Sequence, residues 1–315
     1  MVIEPGNSIS LVLGSGGARG LAHIGVIRWL KENDLHIHAI SGCSMGALIG
    51  GVYACGKLPD FEEWVCTLSK VDIVALLDFS WQKSGLIKGD KIIAELINLV
   101  GDHRIEDLSI KFTAVAADIQ GEKEIWIQKG KIFDAIRASI SLPLFFTPHV
   151  MNGVALIDGG VLNPVPIAPT FGDGTDLTIA VNLGGTPEGK MPRQDTAPSK
   201  INNSLTAILH PKIQHFLKKF TPVPSQPNTN QSNARPSHTS AWGMYDIANQ
   251  AFDAMQSTIA RQKLAAYPPD ICINIPRDAC ATLEFERAKE IIQLGYDSAK
   301  ANIVMGTKVK ASSTP

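Results

Sequence analysis

Twice within the first fifty-five residues a short apolar run ends at glycine, and a helical pattern begins a few residues later. Ile9–Leu13 (ISLVL) runs into Gly14-Ser15-Gly16-Gly17-Ala18-Arg19-Gly20, then Leu21–Asn33, where Leu21, Ile24, Gly25, Ile27, Trp29 and Leu30 keep mostly helical spacing. Ala39–Gly42 runs into Gly42-Cys43-Ser44-Met45-Gly46 and the helical stretch Met45–Cys55. A strand that is apolar at every position is buried on both faces, which demands a parallel sheet covered by helices on both sides. The second helix carries Gly46, Ala47, Gly50, Gly51 and Ala54. Its glycines cost helix propensity, but such small residues let a helix approach a sheet closely, so this helix is expected at the centre.

The alternation continues. Asp60-x-x-Glu63 reads as an acidic capping box for a helix through Ser69, and Asp90–Val100 carries Ile92, Ile93, Leu96 and Leu99 on one stripe. Phe112–Ala117 and Glu124–Gln128 read as strands around a turn at Gly121, Lys131–Ser141 as a helix stopped by Pro143, and Val154–Ile157 and Leu177–Leu183 as strands. After Gly184 the character changes. Thr221–Ser240 is rich in Pro, Ser, Asn, Gln and Thr and reads as a flexible linker, before Met244–Leu264 (helix), Pro269–Ile275 (strand) and Leu283–Ile303 (helix). The expected class is α/β, a three-layer α/β/α sandwich with a mostly parallel central sheet.

Composition removes several functions. With 44% apolar and 19% charged residues the chain is globular, and 29 Lys plus Arg against 30 Asp plus Glu give no general attraction to nucleic acid or anionic lipid. No eighteen-residue apolar window occurs, the longest small or apolar run being Met45–Gly56, and Met1–Gly6 has no signal-peptide pattern. Cys43, Cys55, Cys66, Cys272 and Cys280 are odd in number and widely spaced, which argues against a disulfide framework or zinc site. Reduced thiols in a cytoplasmic protein, with no metal and no cofactor, are expected.

The chemistry is expected at the two glycine-rich junctions, because open α/β sheets bind ligands at the carboxyl ends of their strands. Gly-x-Ser-x-Gly between strand and helix is a nucleophile elbow: the turn forces Ser44 into strained geometry with its hydroxyl above the sheet. Flanking side chains would meet neighbouring backbone, hence the glycines. The N–H of Met45 opens a helix and can donate to an oxyanion. Cys43 is the rival nucleophile, but its place in the turn points it beneath the site. The first loop lacks the last glycine of a dinucleotide fingerprint, where Arg19 stands, and the Gly-Lys-Ser/Thr of a phosphate-binding loop. What remains is exposed backbone N–H groups with Arg19 at a helix start, a natural anion or oxyanion site.

Serine needs a base. His23 falls inside an apolar helix and reads as a core histidine, His36 and His38 as surface residues before the second strand. His210 and His215 would allow a Ser…Asp…His order but border the low-complexity stretch. Asp158, in Ile157-Asp158-Gly159-Gly160, ends an apolar strand with room above it, although it also suits an ordinary Asp-Gly turn. An ordinary carboxylate, of pKa about 3.9, is a poor base for an alcohol unless desolvated or bonded directly to it.

Together these residues resemble the bacterial patatin-like phospholipase family. Gly14-x-Gly-Gly-x-Arg-Gly20 is similar to its oxyanion loop, Gly42-x-Ser-x-Gly46 to its elbow and Asp158-Gly-Gly to its catalytic aspartate. His23-x-Gly25-Val26, Arg137-Ala-Ser-x-Ser-x-Pro143, Asn163-Pro-Val-Pro166, Phe285-x-x-Ala288 and Gly295-Tyr296 also match. The likeness is close over residues 9–183 and looser over 268–300. It implies a calcium-independent hydrolase of acyl esters in phospholipids, lysophospholipids or simpler lipids. It further implies Ser44 as nucleophile, Asp158 as base without a histidine, oxyanion donation from Gly16 and Gly17, and Arg19 helping to hold that loop. Residues 1–315 then form one catalytic domain, with core 9–183, a polar insertion at about 184–240 and closing elements over 241–305. Leu142–Phe146 and Val71–Trp81 could line an acyl groove or touch a bilayer briefly, with Lys83, Lys88 and Lys91 nearby, or simply pack in the core. An acyltransferase using the same elbow and a weakly catalytic lipid- or protein-binding module are the competing readings. Oligomeric state is open.

Overall fold

The computed structural model describes residues 2–76, 87–187 and 244–306. Residues Met1–Glu188 and Ala248–Pro315 cluster as one compact unit, and Gly189–Ile247 as a second that lies outside the described residues except for its last four. Thr221–Ser240, His210, His215, Asp78 and Lys83 therefore fall outside them, as does the second half of Val71–Trp81.

Among the described residues the main sheet has eight strands. Its parallel part is β4 (Lys111–Asp118), β3 (His36–Cys43), β2 (Ser8–Leu13), β8 (Leu177–Gly185) and β9 (Ile271–Pro276), in that order. β5 (Lys123–Ile127) and β7 (Val154–Asp158) pair antiparallel with β4, and β6 (His149–Met151) with β7. A two-stranded parallel ribbon, β1 (Val2–Ile3) with β10 (Val304–Met305), was not foreseen and ties residues 2–3 to 304–305.

Period-two alternation splits the strands between two layers. Leu11 and Leu13 of β2 join the larger core with Ile40 and Phe112, while Val12 faces the other way with Ala180, Val165 and Ile167. On the first face lie α1 (Ala22–Glu32), α2 (Met45–Ala54), α6 (Ile132–Ser139) and α8 (Ala288–Asn302). α7 (Met244–Ala266) covers the second face with Ala260 and Leu264. α1 and α8 cross at Gly25 and Gly295; a Cβ on Gly25 would strike the Ile292 carbonyl, and one on Gly295 that of Ala22. The helices touch backbone to backbone, and only glycine permits that spacing.

Several boundaries differ from expectation. Strand β3 begins at His36, so His36 and His38 lie within it, both exposed. The acidic capping box is overturned: α3 (Leu58–Thr67) starts two residues before Asp60, with Pro59 in its first turn, and the Asp60 carboxylate pairs with Lys57 instead of capping. Pro fits there because the first-turn N–H groups lack intrahelical partners anyway. Of the stretch Val71–Trp81, the described part belongs to α4 (Lys70–Leu76), where no residue is buried. α5 (Asp90–Val100) forms as expected.

Candidate active site

The strand ends bring the predicted residues to one place by an economical use of β4. Strand β3 pairs with residues 111–115 of β4, its last residue Cys43 opposite Val115. Strand β7 runs the other way and pairs with 116–118, its last residue Asp158 opposite Ala116. Strand β5 overlaps both registers and so holds the opposite edge of β4. β3 and β7 therefore share one edge, end facing end, and Ser44 and Asp158 meet where they converge.

Ser44 has φ 56° and ψ −122°, a left-handed backbone on a residue with a side chain. Such a conformation costs about 1–3 kcal/mol and persists only where neighbours enforce it. Here the enforcement is visible. A Cβ on Gly42 would strike the carbonyl of Gly46, and one on Gly46 that of Leu13, so α2 starts in backbone contact with β2. The Ser44 N–H donates to Ser139 Oγ at 2.8 Å, and that hydroxyl donates to the Val115 carbonyl at 2.6 Å. Two residues on, the Ser141 carbonyl accepts the Asp158 N–H at 3.0 Å. The stretch spanning the end of α6 and the residues just after it thus grips both Ser44 and Asp158. Arg137 holds it in turn, donating to Ser141 Oγ at 2.6 Å and to the Thr147 carbonyl at 3.0 Å. The Arg137-Ala-Ser-x-Ser spacing was legible in the sequence, but the role of Ser139 and Ser141 was not.

Asp158 is fully buried and Ser44 7% exposed. The carboxylate is asymmetric. Oδ1 accepts the Gly160 N–H at 2.7 Å and lies 3.7 Å from the Cys43 thiol, whereas Oδ2 is buried without a formed hydrogen bond. Burial pushes its pKa up from the ordinary 3.8 to about 6; the Ser44 hydroxyl, the Gly160 N–H and the Cys43 thiol each pull it back. Desolvation penalises the charged form, and these donors favour it. Cys43 has no exposed surface and lies beneath the turn as expected.

In the glycine-rich loop the N–H groups of Gly14, Ser15 and Ala18 are spent on the carbonyls of Val181, Pro164 and Thr282. Those of Gly16 and Gly17 have no acceptor among the described residues, nor does that of Met45 at the start of α2. The Arg19 side chain is 8% exposed and turned away: it donates to the carbonyls of Arg277 and Cys280 at 3.2 and 3.4 Å, with Asp253 at 3.6 Å. Arg19 anchors the loop to the C-terminal segment. His23 is a buried core histidine whose Nε2 bonds the Gly14 carbonyl at 2.9 Å, and burial lowers its pKa to about 4.

One contributor gave no sequence signal. Gln256, on the otherwise unmatched α7, donates to Ser15 Oγ at 3.3 Å and packs against Gly160, touching both the loop and the aspartate turn. About two turns further along α7, Lys263 pairs with Glu124 at 2.6 Å, which also accepts from Asn163 at 2.8 Å. A cavity lined by Ser15, Arg19, Asn182, Gln256 and Arg277 among others adjoins the loop, and another is lined by Asn182, Gly185, Arg261 and Arg277 among others; neither is lined by Ser44 or Asp158. No His/Cys/Asp/Glu cluster among the described residues could hold a metal ion, and all five cysteines are free.

A parallel sheet layered between helices, with a serine held left-handed at a strand end, defines the broad class of α/β hydrolytic enzymes. Residues 11–171 match the family model described as patatin-like phospholipase. An NTE family protein of Mycobacterium tuberculosis is 37% identical, covering 91% of this chain and 89% of its own. Lysophospholipase NTE1 of Kluyveromyces lactis is 28% identical over 92% of this chain, which spans 19% of that longer protein. The chain belongs to the patatin-like phospholipase family and is a lipid-ester hydrolase.

Proposed function

We propose that the protein hydrolyses acyl esters of phospholipids, lysophospholipids or simpler lipids through a Ser44–Asp158 dyad and an acyl-enzyme. The observation that carries this reading is the divided carboxylate: Oδ1 is engaged by Gly160 and Cys43, leaving Oδ2 buried and unbonded, and the Ser44 hydroxyl is among the groups that favour the charged form of Asp158. Oδ2 takes the hydroxyl proton as Ser44 Oγ bonds to the ester carbonyl carbon. The oxyanion that forms receives the N–H groups of Gly16, Gly17 and Met45. Its collapse expels the alcohol, which leaves with the proton from Asp158. Water then repeats the sequence: it gives its proton to Oδ2, adds to the acyl carbon and releases the fatty acid from Ser44, whose oxygen recovers that proton. No histidine and no metal is required. The name of the Kluyveromyces relative favours lysophospholipids as substrates.

Substrate arrives from a lipid phase, and one feature suits that. Leu144 is 56% exposed yet has φ 71°, a costly conformation for a bulky residue. It tips a tight turn in which Phe145 and Phe146 both donate to the Leu142 carbonyl, three residues after the Ser141 grip. An exposed apolar tip so soon after the segment that holds the site fits brief peripheral contact with a bilayer. No described helix is long and apolar enough to cross one. The five free cysteines fit a reducing compartment, the cytoplasm.

Two measurements test the proposal. A fluorophosphonate probe should label the wild-type protein once, at Ser44, and should not label Ser44→Ala, which should also lose lysophospholipid hydrolysis; labelling that survives the substitution removes Ser44 as nucleophile. Leu144→Asp should weaken co-sedimentation with phosphatidylcholine vesicles several-fold while sparing a water-soluble short-chain ester. Equal losses on both substrates would instead make Leu144 part of the site's framework.

A further inference from the structure

We propose that Cys43 is a positioning residue for the base: its thiol, with the Gly160 N–H, holds Oδ1 of Asp158 so that Oδ2 is the oxygen presented to Ser44. This rests on the dyad reading above. Being next to the nucleophile in sequence, Cys43 reads there as a rival for the chemistry. Its geometry assigns a different task. Cys43 ends β3 opposite Val115, Asp158 ends β7 opposite Ala116, and both side chains are fully buried at that convergence with Sγ 3.7 Å from Oδ1. Oδ1 then has two donors, one from its own turn and one from the strand that carries the nucleophile. Oδ2 has no formed hydrogen bond, and two donors on one oxygen fix the plane of the carboxylate, so its second oxygen keeps one position.

Cys43 stays a donor throughout the working range. Burial, the charge of Asp158 and the charge of Glu124 push its thiol well above the ordinary value, so it keeps its proton. The other charged groups near the convergence are committed. Glu124 of β5 is held low by Lys263, Asn163 and Trp126 and pairs with Lys263 of α7. Arg137 of α6 reaches Ser141, Lys88 and Thr147, and Arg19 reaches the 277–280 segment. Gln256 of α7 and Ser139 at the end of α6 are neutral. None of these is replaced when Cys43 is changed, so a change in the acid limb of the pH–rate profile reports the thiol.

The experiment compares wild type, Cys43→Ala and Cys43→Ser in the full chain, following kcat/KM for one ester from pH 4.5 to 8, with stability measured alongside. Losing a donor to the charged form raises the base's pKa, so Cys43→Ala should move the acid limb up by about half a pH unit. Cys43→Ser keeps a donor in the same place and should return the limb to the wild-type position or below it. A role confined to packing would lower stability in both variants and leave the limb unmoved, and that outcome, or an equal upward shift in both, overturns the proposal. Should Asp158→Asn remain active, the dyad fails and this proposal with it, whereas an inactive Asp158→Asn beside an unmoved limb in Cys43→Ala overturns the role of the thiol alone.

Discussion

Asp158→Asn should lose roughly 10⁴-fold in kcat/KM and become more stable at the same time. The carboxyl is raised from 3.8 to about 6 by burial in the fold. A raised acid is favourable while protonated, so its contribution is whole below about pH 4 and is lost as pH climbs through 6. Above that, the folded state carries an ionised, buried carboxylate at a cost of about 3 kcal/mol. Asparagine keeps an oxygen for the Gly160 N–H and never ionises. The variant should therefore exceed wild type by up to about 3 kcal/mol in urea unfolding at pH 8, by only about 1 kcal/mol at pH 4.5, and by little below the ordinary carboxylate value. Wild-type kcat/KM, for the same reason, should fall tenfold per pH unit below about 6. A variant less stable than wild type at pH 8 would mean that the carboxylate is a structural anchor, not a strained functional group.

Gly46→Ala should be among the most damaging single-methyl additions in the chain. The new Cβ would strike the Leu13 carbonyl, main chain of a central strand with no side-chain torsion to relieve it. α2 would have to lift from β2, taking the Met45 N–H and the Ser44 turn with it. The expected cost is about 3 kcal/mol or more, with activity lost even in molecules that fold. Gly50→Ala, one turn along the same helix, is the control. Its Cβ would meet Ile40 Cγ2 at 2.7 Å and Leu13 Cδ1 at 3.2 Å, side-chain atoms able to move, and alanine favours a helix by about 1 kcal/mol over glycine. Denaturation midpoints should separate the two clearly. Equal midpoints would mean that the close approach of helix and strand is not what Gly46 provides.

Both predictions bear on residues that the sequence marked in advance, and the reason is local. An all-apolar run followed by glycines and a helical pattern can be read within a dozen residues, because strand burial, turn strain and helix spacing act over that range. Ser44, the glycine-rich loop and the parallel core around β2 and β3 were legible on those grounds, whereas Asp158 as base and Gly16 and Gly17 as oxyanion donors came from the family resemblance. The false capping box at Asp60 marks where such reasoning ends: the carboxylate had a lysine three residues earlier, and Pro59 had already started the helix.

By itself, the sequence determined that the chain would layer helices over a parallel sheet and place a strained serine at a strand end, since both follow from burial and backbone sterics within short windows. The tertiary structure alone decided that β7 abuts β3 along one edge of β4, that Ser139 clamps the nucleophile's N–H, that Gln256 spans loop and aspartate turn, and that Cys43 faces Oδ1. Each depends on strand register or on a contact between residues 95 or more apart in the chain. Hydrogen-bond partners at such separation are chosen by how sheets and helices pack, and composition and periodicity carry no record of that choice.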